Sequence, residues 1–374
     1  MDDNNAGELI RRMQQVVEHF CIRGNVVTAV RNSTGHINET VMVTIDDGGR
    51  RRRYTMQRIN QNIFKDVDQL MSNAVRVSDH LRRKLAGIPG RDPDRETLIH
   101  LLARDGRFYA RPRPDECWRA YPYIENAYSI DVARDPREAY EAARGFGEFQ
   151  SLLADFPEPP LFEIIPHFHD TARRFKALED AIAADAHNRA AGCRREIEFA
   201  LARKSMTGRI VKGLADGEFP RRVTHNDTKI NNVLIDYATG RAQCVIDLDS
   251  VMPGSALYDF GDMVRTFTPT SVEDEQDLSK FNLNLDVFRE MTRGFLENAG
   301  AALNQAEKDN LVLGGRLITF TIGIRFLTDY LLGDVYFRTH RPGHNLDRAR
   351  TQFKLVHEIE THEKRMMQLV RDLG

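Results

Sequence analysis

The chain has 374 residues, more than one ordinary hydrophobic core accommodates, so two domains are expected. Hydrophobic residues make up 41% and charged residues 29%, ordinary for a soluble globular chain, and the formal net charge of -2 excludes a global basic field that would gather nucleic acid. Cys21, Cys117, Cys193 and Cys244 form no C-x-x-C pair, which argues against a zinc centre or a disulfide framework and for a reducing compartment. The acidic start "MDDNNAGELI" lacks the apolar core of a secretory signal, and no run of about eighteen apolar residues suggests a membrane span. A cytoplasmic protein is expected.

Residues 8–21 have helical spacing. The stretch 26–59 reads as β-branched strands broken at "NSTG" and "DDGG", with "GGRRRR" as a hairpin turn and its solvated flank. A helix follows near 66–86, carried by Val67, Leu70, Met71, Ala74, Val77 and Leu81 at i, i+3, i+4 spacing. A further helix is seeded at 95–103, then short strands at "RFYA" and "CWRAYPYI". Beyond about residue 130 helices dominate, ending in a long amphipathic one over 345–371. "DFPEPP" is a loop within that second part. The division predicts an N-terminal α+β unit at 1–120, a junction at 121–126 and a mainly helical unit at 127–374.

One convincing later hairpin lies at 231–249. "NNVLID" reads as a strand, "YATG" as the turn and "RAQCVIDLD" as the return strand. With the turn near Ala238–Thr239, antiparallel partners have numbers summing to roughly 477–479. Asn232 then falls opposite Asp247 or within two residues of it. Asp227 sits on the loop entering the same hairpin, in "VTHNDTKINN". One carboxylate before the strand, an amide at its start and a second carboxylate on its neighbour suit Mg²⁺ bound to phosphates, because magnesium takes few protein oxygens and leaves positions for a substrate. Asn232 and Asp247 are the metal ligands expected. Asp227 is left to orient a hydroxyl and accept its proton, and Lys229 to reach a transferring phosphoryl group. Asp249, two residues past Asp247 and so on the same strand face, is a second metal contact or a brace. The literal D-F-G at Asp259–Gly261 lies 32 residues past Asp227, against 20 for Asp247, so the metal is assigned to Asp247 and Asp259 and Asp262 to capping or bracing the following helix.

These residues carry a resemblance. "STGHINET", "IPHFHDTARRF", "RVTHNDTKINNVLID", "VIDLDSVMPGSALYDFGDMVR", "GIRFLTDYLLGDVYF" and "HNLDRARTQFKLV" resemble the kinase-like fold of the aminoglycoside phosphotransferase superfamily and, more narrowly, its N-acetylhexosamine 1-kinases, over about residues 24 to 357. The resemblance implies a two-lobed α+β protein-kinase-like fold, with a small N-terminal β-sheet lobe and a larger helical one. ATP would sit between the lobes, its adenine against the backbone around Tyr123–Glu125. It also implies that Arg325 and Tyr336 contact a sugar, that His36 lies near sugar and phosphates, and that Ser250 stands for a threonine near the sugar. Thr266 stands where a phenylalanine is expected.

The departures bear on the nucleotide. No G-x-G-x-x-G or G-x-x-x-x-G-K-[ST] occurs; the phosphate-loop candidate "NSTGHIN" has one glycine, Gly35. Gln57 stands where a kinase strand carries lysine, and "NAVRV" where the next helix carries its glutamate. A glutamine cannot neutralise phosphate, so that task shifts to Mg²⁺, Lys229 or an arginine. Arg325 and Asp329, at i, i+4, make either an intrahelical ion pair or part of the acceptor site. His167, His169 and Asp170 in "HFHD" offer a metal reading or a loop bonding into the sugar pocket.

The function expected is transfer of phosphate from ATP, with Mg²⁺, to the C1 hydroxyl of an N-acetylhexosamine. The alternatives are a kinase of another small alcohol (a hexose, an amino alcohol or an aminoglycoside) and a nucleotide-binding pseudokinase. No nucleic-acid or membrane partner is expected.

Overall fold

The computed structural model describes residues 3–32, 37–133 and 135–374. It divides into two compact units, Met1–Ala127 and Tyr128–Gly374. The fold is α+β, with an antiparallel sheet in the N-terminal unit and a larger, mainly helical second unit.

In the first unit, strands β1 (Asn25–Asn32), β2 (Glu39–Asp47), β3 (Arg50–Arg58), β4 (Ala110–Arg113) and β5 (Glu116–Pro122) form one sheet in the order β1-β2-β3-β5-β4. Helices α1 (Asp3–Val17), α2 (Val67–Ala86) and α3 (Pro93–Glu96) complete the unit. Gly48 and Gly49 form a two-residue turn between β2 and β3, pairing Asp47 with Arg50. Both have positive φ, 62° and 92°, as a hairpin turn with the twist of its strands requires. Along β2 the period-two pattern buries Val41, Val43 and Ile45 against Met13, Val16 and Phe20, while the arginine run opening β3 stays exposed. Asp66 caps α2 by accepting from the Gln69 N–H.

The helix expected at 95–103 is a single turn. Asp92 and Pro93 start it, but Thr97 is extended (φ -135°) and Leu101 N–H donates to Ala120 O beside β5. A neighbouring strand outcompetes a short local helix that has little to bury.

The second unit holds helices α4 (Pro136–Leu152), α5 (Thr171–Ala184), α6 (Arg194–Leu201), α7 (Arg209–Ala215), α8 (Ala256–Phe267), α9 (Leu285–Ala299), α10 (Gln305–Asp309), α11 (Leu311–Leu331) and α12 (His344–Leu373). Its strands are β6 (Ala127–Ser129), β7 (Arg222–Thr224), β8 (Val233–Asp236), β9 (Ala242–Val245) and β10 (Met252–Gly254). They form a sheet in the order β6-β8-β9 and a β7–β10 pair that the sequence does not announce. At three residues each, β7 and β10 are too short for an alternation to show. In the β8–β9 hairpin Val233 pairs with Val245 and Leu234 with Cys244, a sum of 478, with a shift before Ile235–Ala242. The register is the one the turn position implies.

α11 is long and apolar enough to cross a membrane by length and composition. It is instead the central helix of the unit, packed by α5, α8 and α12, and a helix apolar on all sides is what such a position needs. Against α8 the two backbones touch: a Cβ on Gly261 would lie 2.4 Å from Gly314 O, and one on Gly314 2.4 Å from Leu257 O. Gly261, the glycine of the literal D-F-G, is therefore a packing residue.

Alanine at a helix glycine ordinarily stabilises by about 0.5–1 kcal/mol. Gly261→Ala is expected to do the reverse and to destabilise by about 1–3 kcal/mol through overpacking. The check is urea unfolding: the midpoint falls at an unchanged slope.

Candidate active site

The loop from Thr224 to Thr228 leaves β7 and runs toward β8 without a strand partner, so its backbone groups need bonding from elsewhere. Three consecutive residues obtain it entirely from side chains. His225 N–H and Asn226 N–H donate to the two carboxylate oxygens of Asp259 on α8, at 2.9 and 2.7 Å. His225 O accepts from Ser250 Oγ at 2.8 Å. Asn226 O accepts from His169 Nε2 at 3.1 Å. Asp227 N–H donates to His225 Nδ1 at 3.3 Å, and Asp227 O accepts from Asn232 Nδ2 at 2.8 Å.

The His225 ring is thereby fixed in one tautomer. Nδ1 accepts, so Nε2 carries the proton and donates to Ile246 O at 2.9 Å, tying the loop to the end of the β8–β9 hairpin. Asn226 is left-handed, φ 63°, a conformation that asparagine tolerates better than most residues. Its side chain holds the turn by donating to Thr224 O and Ser250 O at 3.1 and 2.9 Å.

This scaffold presents Asp227. Lys229 Nζ lies 2.8 Å from Asp227 Oδ1, and Asn232 Nδ2 donates to Oδ2 at 3.2 Å. Burial pushes the Asp227 carboxyl upward, but the Lys229 ammonium outweighs it, helped by Arg265, and the group stays below the usual range. Lys229 is raised: burial opposes its charge, and Asp227 and Asp262 more than restore it. Behind them runs a chain of alternating charge. Asp262 and Arg265 on α8 are 2.7 Å apart, Arg265 reaches Glu273 at 3.0 Å, and Glu273 reaches Arg348 on α12 at 2.5 Å.

Asn232 spends its amide nitrogen on Asp227, which leaves Oδ1 as the atom able to meet a cation. Asp247 is left-handed, φ 61° and ψ 59°, strain of the kind kept at functional positions. One amide and one carboxylate oxygen fit a hard divalent cation that takes its other ligands from phosphate and water. The face-sharing expected of Asp247 and Asp249 is corrected: β9 ends at Val245, the chain turns at Asp247, and 248–250 is a short 3-10 turn, so strand alternation does not apply. Asp249 is buried there.

Asp259 and Asp262 lie inside α8, whose N-cap is Ser255. Asp259 braces the loop rather than the helix, which the sequence does not reveal because its partners lie 33 and 34 positions away. Thr266 bonds back to Asp262 O at 2.9 Å. Ser250 gives its hydroxyl proton to the loop, leaving its lone pairs for any ligand.

On α11 the intrahelical Arg325–Asp329 pair does not form. Asp329 accepts the N–H groups of Val335, Tyr336 and Phe337 at 2.8–3.0 Å and the Asn345 amide at 2.9 Å. Arg325 has no carboxylate partner among the described residues. It bonds weakly to Tyr336 Oη at 3.4 Å and stands near the rings of Phe168, Tyr336 and Phe337. Burial pushes its pKa down to about 10, with Arg174 adding repulsion.

In "HFHD", Asp170 caps α5 by accepting the Arg173 N–H, and His167 lies 3.8 Å from Asp170. In the first unit, Gln57 donates to Thr40 Oγ1 at 3.0 Å and accepts from Arg119 on β5 at 2.7 and 2.9 Å. Tyr123 N–H donates to Arg53 O, Glu125 pairs with Arg53, and Glu125 O accepts from Arg95. Gly35 and His36 lie outside the described residues.

Comparison with known proteins gives a family and a fold. Residues 28–291 match the profile of the phosphotransferase enzyme family. Choline kinase from Cryptosporidium parvum superposes with a TM-score of 0.55 at 14% identity, over 92% of each chain. Spectinomycin phosphotransferase, solved with ADP and spectinomycin, gives 0.53 at 14% identity, over 96% of this chain and 98% of that one. Plasmodium vivax ethanolamine kinase gives 0.51 at 12%, over 87% and 81%. At these identities the likeness is one of fold.

Burial pushes the Asp259 carboxyl up to about 6. Protonation there weakens its hold on two N–H groups of the loop, so kcat is expected to fall as pH drops through about 6. A kcat–pH profile at saturating substrates checks this. An acid limb only below the usual carboxylate range would assign the titration to Asp227 instead.

Proposed function

The chain belongs to the phosphotransferase enzyme family, and from that premise we propose that it moves the γ-phosphoryl group of ATP to the anomeric hydroxyl of a free N-acetylhexosamine, giving the sugar 1-phosphate and ADP. The observation that carries the reading is Asp227: a carboxylate held ionised, with Lys229 beside it, on a loop whose backbone is bonded on every side. Such a group orients a hydroxyl and takes its proton as the O–P bond forms, while the γ-phosphoryl leaves ADP. Lys229 offsets charge on the phosphoryl oxygens. Asn232 Oδ1 and Asp247, with Asp249 as a further candidate, would hold Mg²⁺, which supplies charge neutralisation at the phosphates when bound. Positioning and electrostatics make up most of the catalysis.

The acceptor class rests on Arg325. A half-buried guanidinium without a counter-ion among the described residues repels a cationic alcohol and invites ligand oxygens, and the rings around it suit a sugar face. This favours a neutral sugar over choline-like or aminoglycoside acceptors. Arg325, Tyr336, Ser250 and His36 are assigned to the sugar. Gly35, Gln57, Tyr123 and Glu125, in an N-terminal nucleotide-binding lobe joined at 121–126, are assigned to ATP. Arg119, bonded to Gln57 on the adjacent strand, offers the cation that Gln57 cannot.

Asp227→Asn is expected to lower kcat about 10²–10⁴-fold with ATP binding retained. Turnover within tenfold of wild type removes Asp227 from the chemistry. In a coupled ADP assay N-acetylhexosamines should exceed plain hexoses, choline and aminoglycosides as acceptors, and NMR of the product should show phosphorus coupled at C1. Preference for a cationic alcohol defeats the acceptor assignment.

A further inference from the structure

The segment "HFHD" remains without a role in this reaction, and its His169 occupies an informative position. The residue is 8% exposed. Its ring lies between Phe168, with centroids 4.4 Å apart, and Tyr258 at 4.9 Å. Its Nε2 faces the carbonyl of Asn226 at 3.1 Å. A carbonyl only accepts, so Nε2 carries a proton. Burial keeps the ring neutral, pushing its pKa down to about 3. Nδ1 is buried without a partner, closed off from solvent and from any metal. That leaves one polar task for this imidazole: holding the peptide that links Asn226 to Asp227.

A rotation of that peptide would redirect Asp227. Asn226 is left-handed at φ 63°, and its carbonyl starts the peptide plane that carries the Asp227 N–H. The neighbouring residue, Phe168, faces another way. Its ring stands 5.8 Å from the Arg325 guanidinium, and its carbonyl accepts from Arg174 at 3.4 Å. Consecutive residues of one segment thus touch the catalytic loop and the arginine assigned to the acceptor. The segment itself is tied down at both ends, by His167 N–H donating to Glu163 at 3.1 Å and by Asp170 capping α5 at 3.0 Å.

We propose that His169 is a positioning residue for phosphoryl transfer: its Nε2–H fixes the Asn226–Asp227 peptide, and through Phe168 the same segment sets that peptide against the Arg325 side of the site. The inference rests on the reading of Asp227 as the base. It predicts an effect on kcat without one on nucleotide affinity, because His169 touches neither substrate.

His169→Phe keeps an aromatic ring between Phe168 and Tyr258 and removes the donor. His169→Gln replaces the ring with an amide whose N–H reaches about as far. Two readings are taken on each folded variant. Hydrogen exchange of the 224–228 segment, which needs no substrate, is expected to quicken about tenfold or more in His169→Phe and to stay within about threefold of wild type in His169→Gln. With the best acceptor of the panel, kcat is expected to fall about tenfold or more in His169→Phe and to recover to within about threefold in His169→Gln, with KM for ATP within about twofold throughout. Should His169→Phe fail to fold, His169→Met takes its place as the donor-free variant. Exchange unchanged in the donor-free variant, kcat within twofold of wild type there, or a glutamine variant no better than it, each overturns the proposal. If the wild-type chain turns over no acceptor, the phosphotransferase reading falls, and the exchange measurement alone decides whether His169 anchors the loop.

Discussion

The structure depends on how three consecutive residues satisfy their backbone. His225, Asn226 and Asp227 lie between two strands and belong to neither, yet all six of their N–H and C=O groups are bonded to side chains. An unpaired buried backbone group costs about 1–3 kcal/mol, so the loop could not persist in this shape without those partners. They come from α8, the turn after β9, the loop before α5, the start of β8 and the loop's own histidine. The loop is therefore a readout of whether the second unit has assembled. Each packing relation that sets α8 or the hairpin is also a constraint on Asp227.

The close approach of α8 and α11 takes its meaning from this. Gly261 and Gly314 let the helices meet at backbone distance, and Asp259, two residues before Gly261, delivers the carboxylate that receives the loop. Asp262, one residue beyond, faces the charge network around Lys229. A single turn of helix thus carries a loop brace, a packing glycine and an electrostatic partner. The same turn bears on the ionised carboxylate at Asp227: a chain of alternating charge through Asp262, Arg265, Glu273 and Arg348 lies behind the Asp227–Lys229 pair, and its Asp262 and Arg265 act on both members.

Much of this was legible in the sequence, for identifiable reasons. The hairpin was readable because its turn and alternation are local, and its register follows from counting outward from Ala238–Thr239. The sheet of the first unit was readable because β2 alternates and Gly48–Gly49 mark its turn. The false helix at 95–103 came from a local pattern that lost to pairing beside β5, where the competing interaction is distant in sequence. The two-residue alternation extended from β9 to Asp249 failed because a left-handed residue at Asp247 ends the strand, and nothing in "IDLDS" marks that reversal. Asp259 was read against the wrong partner for the same reason: its acceptor role depends on a loop more than thirty residues earlier. His169 was read as a metal ligand or as part of a loop bonding into the sugar pocket, since a histidine bonded to one distant carbonyl leaves no spacing signature.

Arg325 and Asp329 show how structure resolves an ambiguity that spacing cannot. At i, i+4 on a helix the two residue types form an ion pair by default, worth about 0.3–0.5 kcal/mol on a surface. Here the carboxylate is claimed by three backbone N–H groups of the turn after α11 and by Asn345. Those four bonds satisfy the buried Asp329 carboxylate more fully than a single charge pair would. The arginine is released from its neighbour and left facing aromatic rings, and its own desolvation becomes a cost that the folded chain alone does not offset. A ligand that brings oxygen would offset that cost, which is the ground on which a sugar rather than a cation is proposed for this face. The turn after α11 makes this arrangement: by taking up Asp329 it leaves the guanidinium without its i, i+4 partner, and it holds Tyr336 within reach of the same group.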